Sequence, residues 1–580
     1  MESFDTITAN MYPWKRYAEN KQLETMLVLF ADTKKAHARV GDPQEIQRYL
    51  DYAEDNQASF DWVQLHSGFW FNHAPLKNYP DAGIEVDEET NSFVDKVIRL
   101  CKGKGKKVSY MLGNFTPLDQ LLKAYPQVRN LNNGLFWQLL YDAAYGILTR
   151  FPQLDELSLY FFESMNLIHY NNFFKCMNYG LDIDEEMMEK HPDQILKQES
   201  QSWPYLSFAD HLRMVLMAVA SACRDLGKSF CLLTHVWFPY QEELLYEALK
   251  DFPADLPLIL EHNYTTGDFN PYLPAPRLIE RLPHLKHAVC YCCGMEYHGL
   301  SLIPCCFPEA LQANLNYALK SSPNMERIVV RPIWDGESLL KTPNEVNLFA
   351  LLKLAGHPGA DTEDLWDEWI NSRYGISDRY ICEELASILR ASYQAVKQVL
   401  FGCGVRMTDH SHIPDYGHLE SRLYNYGKAL IGWRPDPENQ QAVYDLLIRP
   451  GRKALRINRE NHENSLILMR EAAGRLDNLR EYLKAEDYED ISGRYRDFIC
   501  FIQLHQLELD AYLRLRRYQK VKEPENREVI EQDINRLEEY RADILSGKIP
   551  PCYLFSPDHI GSFTESVRGQ ITGAPSGQFR

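Results

Sequence analysis

The segment Ala288-Val-Cys-Tyr-Cys-Cys293 is a short, uninterrupted apolar run, and the carboxylate of Glu296 follows it after two residues. Runs that are this short and apolar at every position are typical of strands buried on both faces of a parallel sheet. Seven further short runs, most of them largely apolar, lie between residues 25 and 340. They are Met26–Phe30, Trp62–Leu65, Val108–Leu112, Leu157–Phe162, Phe230–Thr234, Leu256–Leu260 and Arg327–Arg331.

Helical patterns separate the apolar runs, as at Leu135–Thr149 and Ala209–Cys223. Eight strands alternating with helices over about 300 residues are typical of a (β/α)8 barrel, the TIM barrel. A doubly wound open sheet is the alternative, but no glycine-rich phosphate loop follows the first run. The sequence therefore predicts an α/β fold of the barrel type.

A chain of 580 residues is too long for one ordinary domain. The pattern after the barrel is helical, and Leu466, Met469 and Leu476 belong to an amphipathic stripe. This predicts an all-α C-terminal domain packed on the barrel, although the same stripes would suit the interface of a homodimer. The expected divisions are an N-terminal extension at 1–24, the barrel at 25–340 with an insertion near 166–206, the helical domain at 341–560 and a tail at 561–580.

The composition excludes several classes of partner. A net charge of −19 argues against a nucleic-acid partner and against an anionic membrane surface. No apolar run approaches the roughly 20 residues that span a bilayer, and the N-terminus does not read as a secretory signal. The spacing of the 13 cysteines, as at Cys290, Cys292 and Cys293, does not match zinc sites. We therefore expect reduced thiols in the cytoplasm, with no metal and no cofactor, although removal of a leader would leave secretion open.

Three carboxylates stand at the C-terminal ends of predicted strands, where barrel enzymes carry their catalytic groups. Glu163 ends the fourth run, Asp268 follows the sixth and Glu296 follows the seventh. Cleavage of a glycosidic bond needs such groups, because one carboxyl protonates the leaving oxygen and another activates water or attacks the sugar. Structural roles stay open for each: an ion pair for Glu163, a turn for Asp268 and a surface position for Glu296.

Aromatic and polar side chains at or just past the predicted strand ends are candidates for sugar contacts, since aromatic faces stack on sugar rings. Packing at the rim of the barrel, or a structural hydrogen bond, is the competing explanation for each. The candidates are His66, Trp70, Asn114, His235, Trp237, Asn263, Tyr264, Tyr297, Trp334 and Asp335.

Several of these residues stand in ordered motifs. Asn263-Tyr-Thr-Thr-Gly-Asp-Phe-Asn270 resembles K-Y-G-P-I-D-F-Q, and Met295-Glu-Tyr-His-Gly299 resembles Q-E-Y-L-G. Phe162-Glu-Ser164 falls where K-A-D-S-E-G is expected, and Gly113–Pro117 resembles V-N-F-A-S-P. Further on, Asn347–Ala355 resembles N-L-Y-A-F-G-R-L-A. These are motifs of glycoside hydrolase family 67, the xylan α-glucuronidases, and they occur here in the same order.

The resemblance extends over roughly residues 25–400 and includes no counterpart of the family's separate N-terminal domain. It implies an exo-acting hydrolase that inverts the anomeric configuration. In that scheme Glu163 is the general acid, and Asp268 and Glu296 activate the hydrolytic water. Inversion requires carboxyl groups roughly 6.5–9.5 Å apart, so that a water molecule fits between them and the sugar.

The sequence departs from the family at the basic residues that bind the uronic carboxylate. Neutral Leu159 and Asn263 replace two lysines, and Thr234 or His235 stands in place of an arginine. Without these cations a sugar carboxylate loses charge-assisted hydrogen bonds. We therefore expect release of a terminal, α-linked and neutral sugar from an oligosaccharide. A divergent α-glucuronidase and a catalytically silent carbohydrate-binding protein are the alternatives.

Overall fold

The computed structural model describes residues 22–30, 43–66, 72–112, 119–129, 134–160, 208–334, 337–448, 450–522 and 524–572. In these ranges a parallel barrel is followed by a helical region. The predicted insertion near 166–206 and the predicted extension before residue 22 lie outside them.

Eight parallel strands close into a barrel in sequence order, and the last strand pairs with the first. The strands are β1 (Glu24–Phe30), β2 (Trp62–His66), β3 (Lys107–Leu112), β4 (Glu156–Tyr160), β5 (Ser229–Leu233), β6 (Ile259–Asn263), β7 (Lys286–Cys292) and β8 (Met325–Arg331). Most of their side chains are buried, because one face of each strand fills the barrel and the other meets the helices. The predicted TIM barrel is confirmed.

The sixth strand is shifted from its predicted position. The sequence predicts Leu256–Leu260, whereas β6 spans Ile259–Asn263. The last three residues of β6 are polar and buried, so hydropathy alone ends the strand too early. One of them, Glu261, accepts hydrogen bonds from Gln64 (3.4 Å) and from the thiol of Cys231 (3.7 Å). Burial raises the pKa of the Glu261 carboxyl to about 7.

Amphipathic helices cover the barrel. Asp87 shows how one begins, because its carboxylate accepts the backbone N–H of Thr90 at the start of α2. A hairpin of β9 (Ile333–Trp334) and β10 (Glu337–Ser338) follows β8. The helices of this part are α1 (Pro43–Asp55), α2 (Glu88–Gly103), α3 (Asp119–Ala124), α4 (Leu135–Arg150), α5 (Phe208–Asp225), α6 (Pro239–Leu249), α7 (Leu278–Arg281) and α8 (Pro308–Ser321).

The C-terminal region is all-α, as predicted. Its helices are α9 (Glu345–Gly356), α10 (Thr362–Tyr374), α11 (Arg379–Leu400), α12 (Tyr416–Trp433), α13 (Pro437–Val443), α14 (Arg452–Asp477), α15 (Ala485–Val521), α16 (Pro524–Leu545) and α17 (Pro557–Thr572). Among the helices described, none is long and apolar enough to cross a bilayer.

The predicted tail at 561–580 is wrong for residues 561–572, which belong to α17. Ile560, Phe563 and Val567 are fully buried and recur at helical spacing. Glycines and polar residues occupy most of the other positions of α17, so the stripe is hard to recognise in the sequence. Residues 573–580 lie outside the described part.

The segment between α11 and α12 packs on the loops at the C-terminal ends of the strands. The amide of Asn270, after β6, donates to the carbonyl of Gly404 (3.0 Å). The backbone N–H of Gly299, after β7, donates to the hydroxyl of Ser411 (2.8 Å). In addition, the indole N–H of Trp433 donates to the carbonyl of Trp237 (2.8 Å). The helical region therefore forms part of the wall around the barrel mouth.

A buried ion pair crosses the barrel interior. The guanidinium of Arg327 in β8 contacts the carboxylate of Glu156 in β4, with the shortest N–O distance at 3.0 Å. Both side chains are almost fully buried, and the guanidinium also lies over the Trp62 ring at 4.1 Å. Two buried charges are tolerated because each neutralises the other.

Arg327→Met is expected to lower the free energy of unfolding by about 3–5 kcal/mol, because it leaves Glu156 buried without its cation. The double variant Glu156→Gln/Arg327→Met is expected to lose much less, since neither charge remains. Chemical denaturation measures both. Arg379→Gln, which breaks an exposed pair with Glu383, is the control and is expected to cost less than about 1 kcal/mol. Equal losses in the single and double buried variants would contradict this account.

Candidate active site

Asp268 is positioned by a strained turn just after β6. Gly267, Asp268 and Phe269 all have positive φ angles of 61–63°. A side chain at position 267 would collide with Leu273, so glycine is required there. Asp268 and Phe269 lack that freedom and bear a conformational cost of about 1–2 kcal/mol each. Such strain is common where the backbone must aim a functional side chain.

The carboxylate of Asp268 is buried among polar and cationic groups. Its Oδ1 lies 3.6 Å from Nε2 of His235 and accepts from the amide of Asn263 at 3.4 Å. Its Oδ2 lies 3.5 Å from the guanidinium of Arg406. The side chain of Tyr297 also forms a hydrogen bond with this carboxylate. Sequence-predicted residues 235, 263, 268 and 297 are thus brought together.

The surroundings hold Asp268 in its anionic form. Burial alone would raise the pKa of its carboxyl. The electrostatic effects of His235 and Arg406 and the hydrogen bond from Tyr297 outweigh burial, so the pKa of Asp268 lies below its usual value. A group in this state accepts protons at neutral pH but does not donate them.

Glu296 forms a second ion pair at the barrel mouth. Its Oε2 lies 3.0 Å from the guanidinium of Arg331, the last residue of β8. Its Oε1 lies 3.6 Å from Nε2 of His410. The hydroxyl of Ser411 donates to the carbonyl of Glu296 at 2.9 Å and fixes its backbone. Glu296 is therefore held both by the barrel and by the segment that precedes α12.

His410 has a carboxylate on each side. Its Nδ1 is 2.7 Å from the carboxylate of Asp409, and its Nε2 faces Glu296. Burial would lower the pKa of His410, but Asp409 and Glu296 outweigh burial and raise it. The charge of His410 in turn contributes to a low pKa at Asp409. The imidazole is half exposed, which leaves it accessible to a ligand.

The loop that carries Glu296 is anchored by two buried asparagines near the start of α9. Asn347 donates to the carbonyls of Cys293 (3.1 Å) and Cys305 (2.8 Å) and accepts from the backbone N–H of Phe307 (2.8 Å). Asn344 accepts from the N–H of Cys305 (2.6 Å). These bonds account for the polar positions in the first turns of this otherwise apolar helix.

The aromatic rings at the mouth pack on cations. Arg406 lies over the rings of Tyr297 (3.9 Å), Tyr426 (4.3 Å) and Trp237 (4.8 Å). Such contacts compensate for removing a guanidinium from water. Trp334 is 5.0 Å from the guanidinium of Arg331. These rings thus hold the two arginines that neutralise Asp268 and Glu296.

Sequence reasoning missed Arg406, His410 and Tyr426, because they lie beyond the barrel in the chain. The polar stretch Arg406–His412 between two helices is the sequence feature that could have indicated them.

Tyr264 is a core residue in the structure. Its ring stacks on Tyr291 with centroids 5.6 Å apart and packs on Phe269 at 5.7 Å. Its position is explained by packing, which the sequence analysis left open.

Several predicted site residues are not described by the structure. Glu163, Asn114, Trp70 and Asp335 lie outside the described residues, and His66 ends β2 with a side chain that is likewise not described. Their roles remain predictions.

No protein-family model matches the sequence, and no curated protein matches it. Among solved structures it is similar to a GH138 enzyme targeting pectin rhamnogalacturonan II, with 13% identity and a TM-score of 0.56 over 91% of this chain and 62% of that one. An O-GlcNAc hydrolase variant of Thermobaculum terrenum aligns at 11% identity and a TM-score of 0.41, over 96% and 98% of the two chains. A GH115 4-O-methyl-α-glucuronidase with specificity for decorated arabinogalactans aligns at 9% identity and a TM-score of 0.39, over 92% and 62%.

The similarity to the GH138 enzyme shows a shared fold. The present chain spans 62% of the length of that enzyme. Its activity and substrate therefore have to be argued from the site.

The Arg406→Gln variant is expected to raise the pKa of Asp268, because it removes one of the charges that keep the carboxyl ionised. If Asp268 acts as a base, the acidic limb of the pH–activity profile moves to higher pH by about one unit. The measurement is the rate of sugar release between pH 3 and 8, on the best substrate of the native chain. Arg434→Gln, at an exposed position after α12, is the control. An unshifted acidic limb in Arg406→Gln would show that this ion pair does not tune the reaction.

Proposed function

We propose that this chain is a glycoside hydrolase that removes a terminal sugar from an oligosaccharide. The observation that carries the proposal is the pair of buried carboxylates, Asp268 and Glu296, at the C-terminal mouth of the barrel. Each is neutralised by a buried arginine and flanked by a histidine. Buried, ion-paired carboxylates at this edge of a barrel are typical of catalytic sites.

Two atoms beside Asp268 support a ligand site. Oδ1 of Asn263 is buried and has no hydrogen-bond partner among the described residues, and buried Nε2 of His235 has only its contact with Asp268 at 3.6 Å, which is longer than a hydrogen bond. Buried polar atoms are normally paired, because leaving one unpaired costs about 1–3 kcal/mol. A sugar hydroxyl both donates and accepts, so the hydroxyls of one ring would satisfy both atoms.

The division of roles follows from the charges. Asp268 is held anionic and is suited to take a proton from the attacking water. Glu296 is ion-paired with Arg331, so it is suited to orient that water or to stabilise positive charge developing on the sugar. Neither group is set up to donate a proton. The acid is therefore assigned to Glu163, on the resemblance to family 67, and this scheme inverts the anomeric configuration.

The balance of charges favours a neutral sugar. Arg331 and Arg406 are the arginines next to the two carboxylates, and each already has a carboxylate partner. Asn263, which replaces a lysine of family 67, donates to Asp268. A uronic carboxylate would thus bring a further negative charge to a site whose arginines are already neutralised. His410, with its raised pKa, is the cation that would favour a uronic acid instead.

The GH138 similarity is in line with a carbohydrate substrate, since that enzyme targets a pectic polysaccharide. A catalytically silent carbohydrate-binding protein is the second candidate. It is favoured by one observation: both described carboxylates are fully ion-paired, which is also how a site without turnover would be stabilised. Activity measurements separate the two.

The test is hydrolysis of a panel of oligosaccharides with neutral or uronic α-linked terminal sugars. The native chain is expected to release a neutral sugar, and NMR of the fresh product is expected to show the inverted anomer. Asp268→Asn is expected to lower kcat at least about a hundredfold, since general-base catalysis contributes about 10²–10⁴-fold. Asp251→Asn, an exposed change of the same kind just after α6, is the control.

Release of glucuronic acid would contradict the proposed substrate class and indicate a divergent α-glucuronidase. A retained anomer would contradict the assignment of Asp268 as a base. Binding of an oligosaccharide without any release would favour the silent binding protein.

The Glu163→Gln variant tests the acid separately. Substrates with a poor leaving group need protonation, whereas an aryl glycoside with a good leaving group needs much less. Glu163→Gln is therefore expected to abolish release from the oligosaccharide but to spare the aryl glycoside substantially. Equal losses on the two substrates would mean that Glu163 is not the acid.

A further inference from the structure

A cavity in the helical region is lined by arginines. It has a volume of about 420 Å³ and lies between α14, α15 and α16. None of these helices contributes a side chain to the candidate active site. The lining residues are Arg452, Leu455, Arg456, Arg459, Arg514, Arg517, Asn526 and Val529. The cavity, named here the arginine pocket, thus concentrates five guanidinium groups in a chain whose net charge is −19.

Local carboxylates account for only some of these arginines. Arg459 pairs with the buried carboxylate of Asp510 (3.0 Å), and Arg456 pairs with exposed Glu460 (3.4 Å). In contrast, Arg452 and Arg514 form no ion pair within the described part of the chain. The Nε–H of Arg514 is buried and has no acceptor there. A buried charged donor without a partner is costly, so an occupant of the cavity would relieve it.

Two helices begin at the same cavity. Arg452 is the first residue of α14, and its N-cap Gly451 offers no side-chain cap. Asn526 is the third residue of α16. Helix N-termini present unpaired N–H groups and a partial positive charge, which adds to the potential of the arginines.

We propose that the arginine pocket binds a small, multiply charged oxyanion such as a phosphate ester or a diphosphate. Planar guanidinium forks match the oxygens of phosphate, and a cavity of this size admits a group of a few charged oxygens on a small organic body. Two or more cations within one small cavity fit a multivalent anion better than a uronic sugar, which carries one charge per ring. The site is independent of the proposed glycosidase activity.

Inorganic pyrophosphate is the probe for calorimetric titration of the full chain, with sulfate and acetate as anions of lower charge. The native chain is expected to bind one pyrophosphate, sulfate more weakly and acetate not measurably. Arg452→Gln/Arg514→Gln is expected to weaken pyrophosphate binding at least tenfold. Neither arginine has a carboxylate within ion-pair distance in the described part of the chain, and the charge of Arg514 acts only at longer range to lower the pKa of buried Asp533. Arg434→Gln, which removes an exposed arginine elsewhere, is expected to leave the affinity unchanged.

Thermal unfolding of each variant establishes that it is folded, and Arg452→Lys/Arg514→Lys provides a second test. This variant keeps both positive charges but loses the planar guanidinium groups, so it is expected to weaken binding less than Arg452→Gln/Arg514→Gln does. Several results would overturn the proposal: no binding by the native chain, binding that both double variants retain in full, or an equal loss in Arg434→Gln.

Discussion

Neutralisation of buried charge is the constraint on which the candidate site depends. Asp268 and Glu296 lie out of water at the barrel mouth, where an unpaired carboxylate would become protonated or destabilise the fold. The barrel provides one cation, Arg331 at the end of β8, and the segment before α12 provides the other, Arg406. The C-terminal helical region is therefore part of the site, because without Arg406 the carboxylate of Asp268 would lose a principal charge partner.

The barrel was predictable because strands buried on both faces appear in the sequence as short apolar runs. The predicted runs Met26–Phe30 and Arg327–Arg331 each lie within a strand that begins two residues earlier. The predicted bounds were wrong for β6, where buried polar residues follow the apolar run. β6 ends in the buried polar residues Glu261, His262 and Asn263, so its true range could not be read from apolar character.

The site was predictable only as far as it follows strand ends. Asp268 and Glu296 stand directly after β6 and β7, so barrel geometry alone brings them to the mouth. Arg406 and His410 come from more than a hundred residues further along the chain, and only tertiary packing shows that they belong there. The aromatic residues illustrate another limit, because the sequence cannot distinguish a ring that stacks on sugar from one that packs on arginine, as Trp237 does.

The proposal to be tested is that a terminal sugar binds at the barrel mouth beside Asp268 and Glu296. A crystal structure of the Asp268→Asn variant, soaked with the oligosaccharide that the native chain cleaves best, tests it most directly. The expected result is a single sugar ring hydrogen-bonded to His235 and Asn263, with its anomeric carbon facing position 268 and Glu296. A sugar bound elsewhere, with the mouth of the barrel filled by side chains alone, would contradict it.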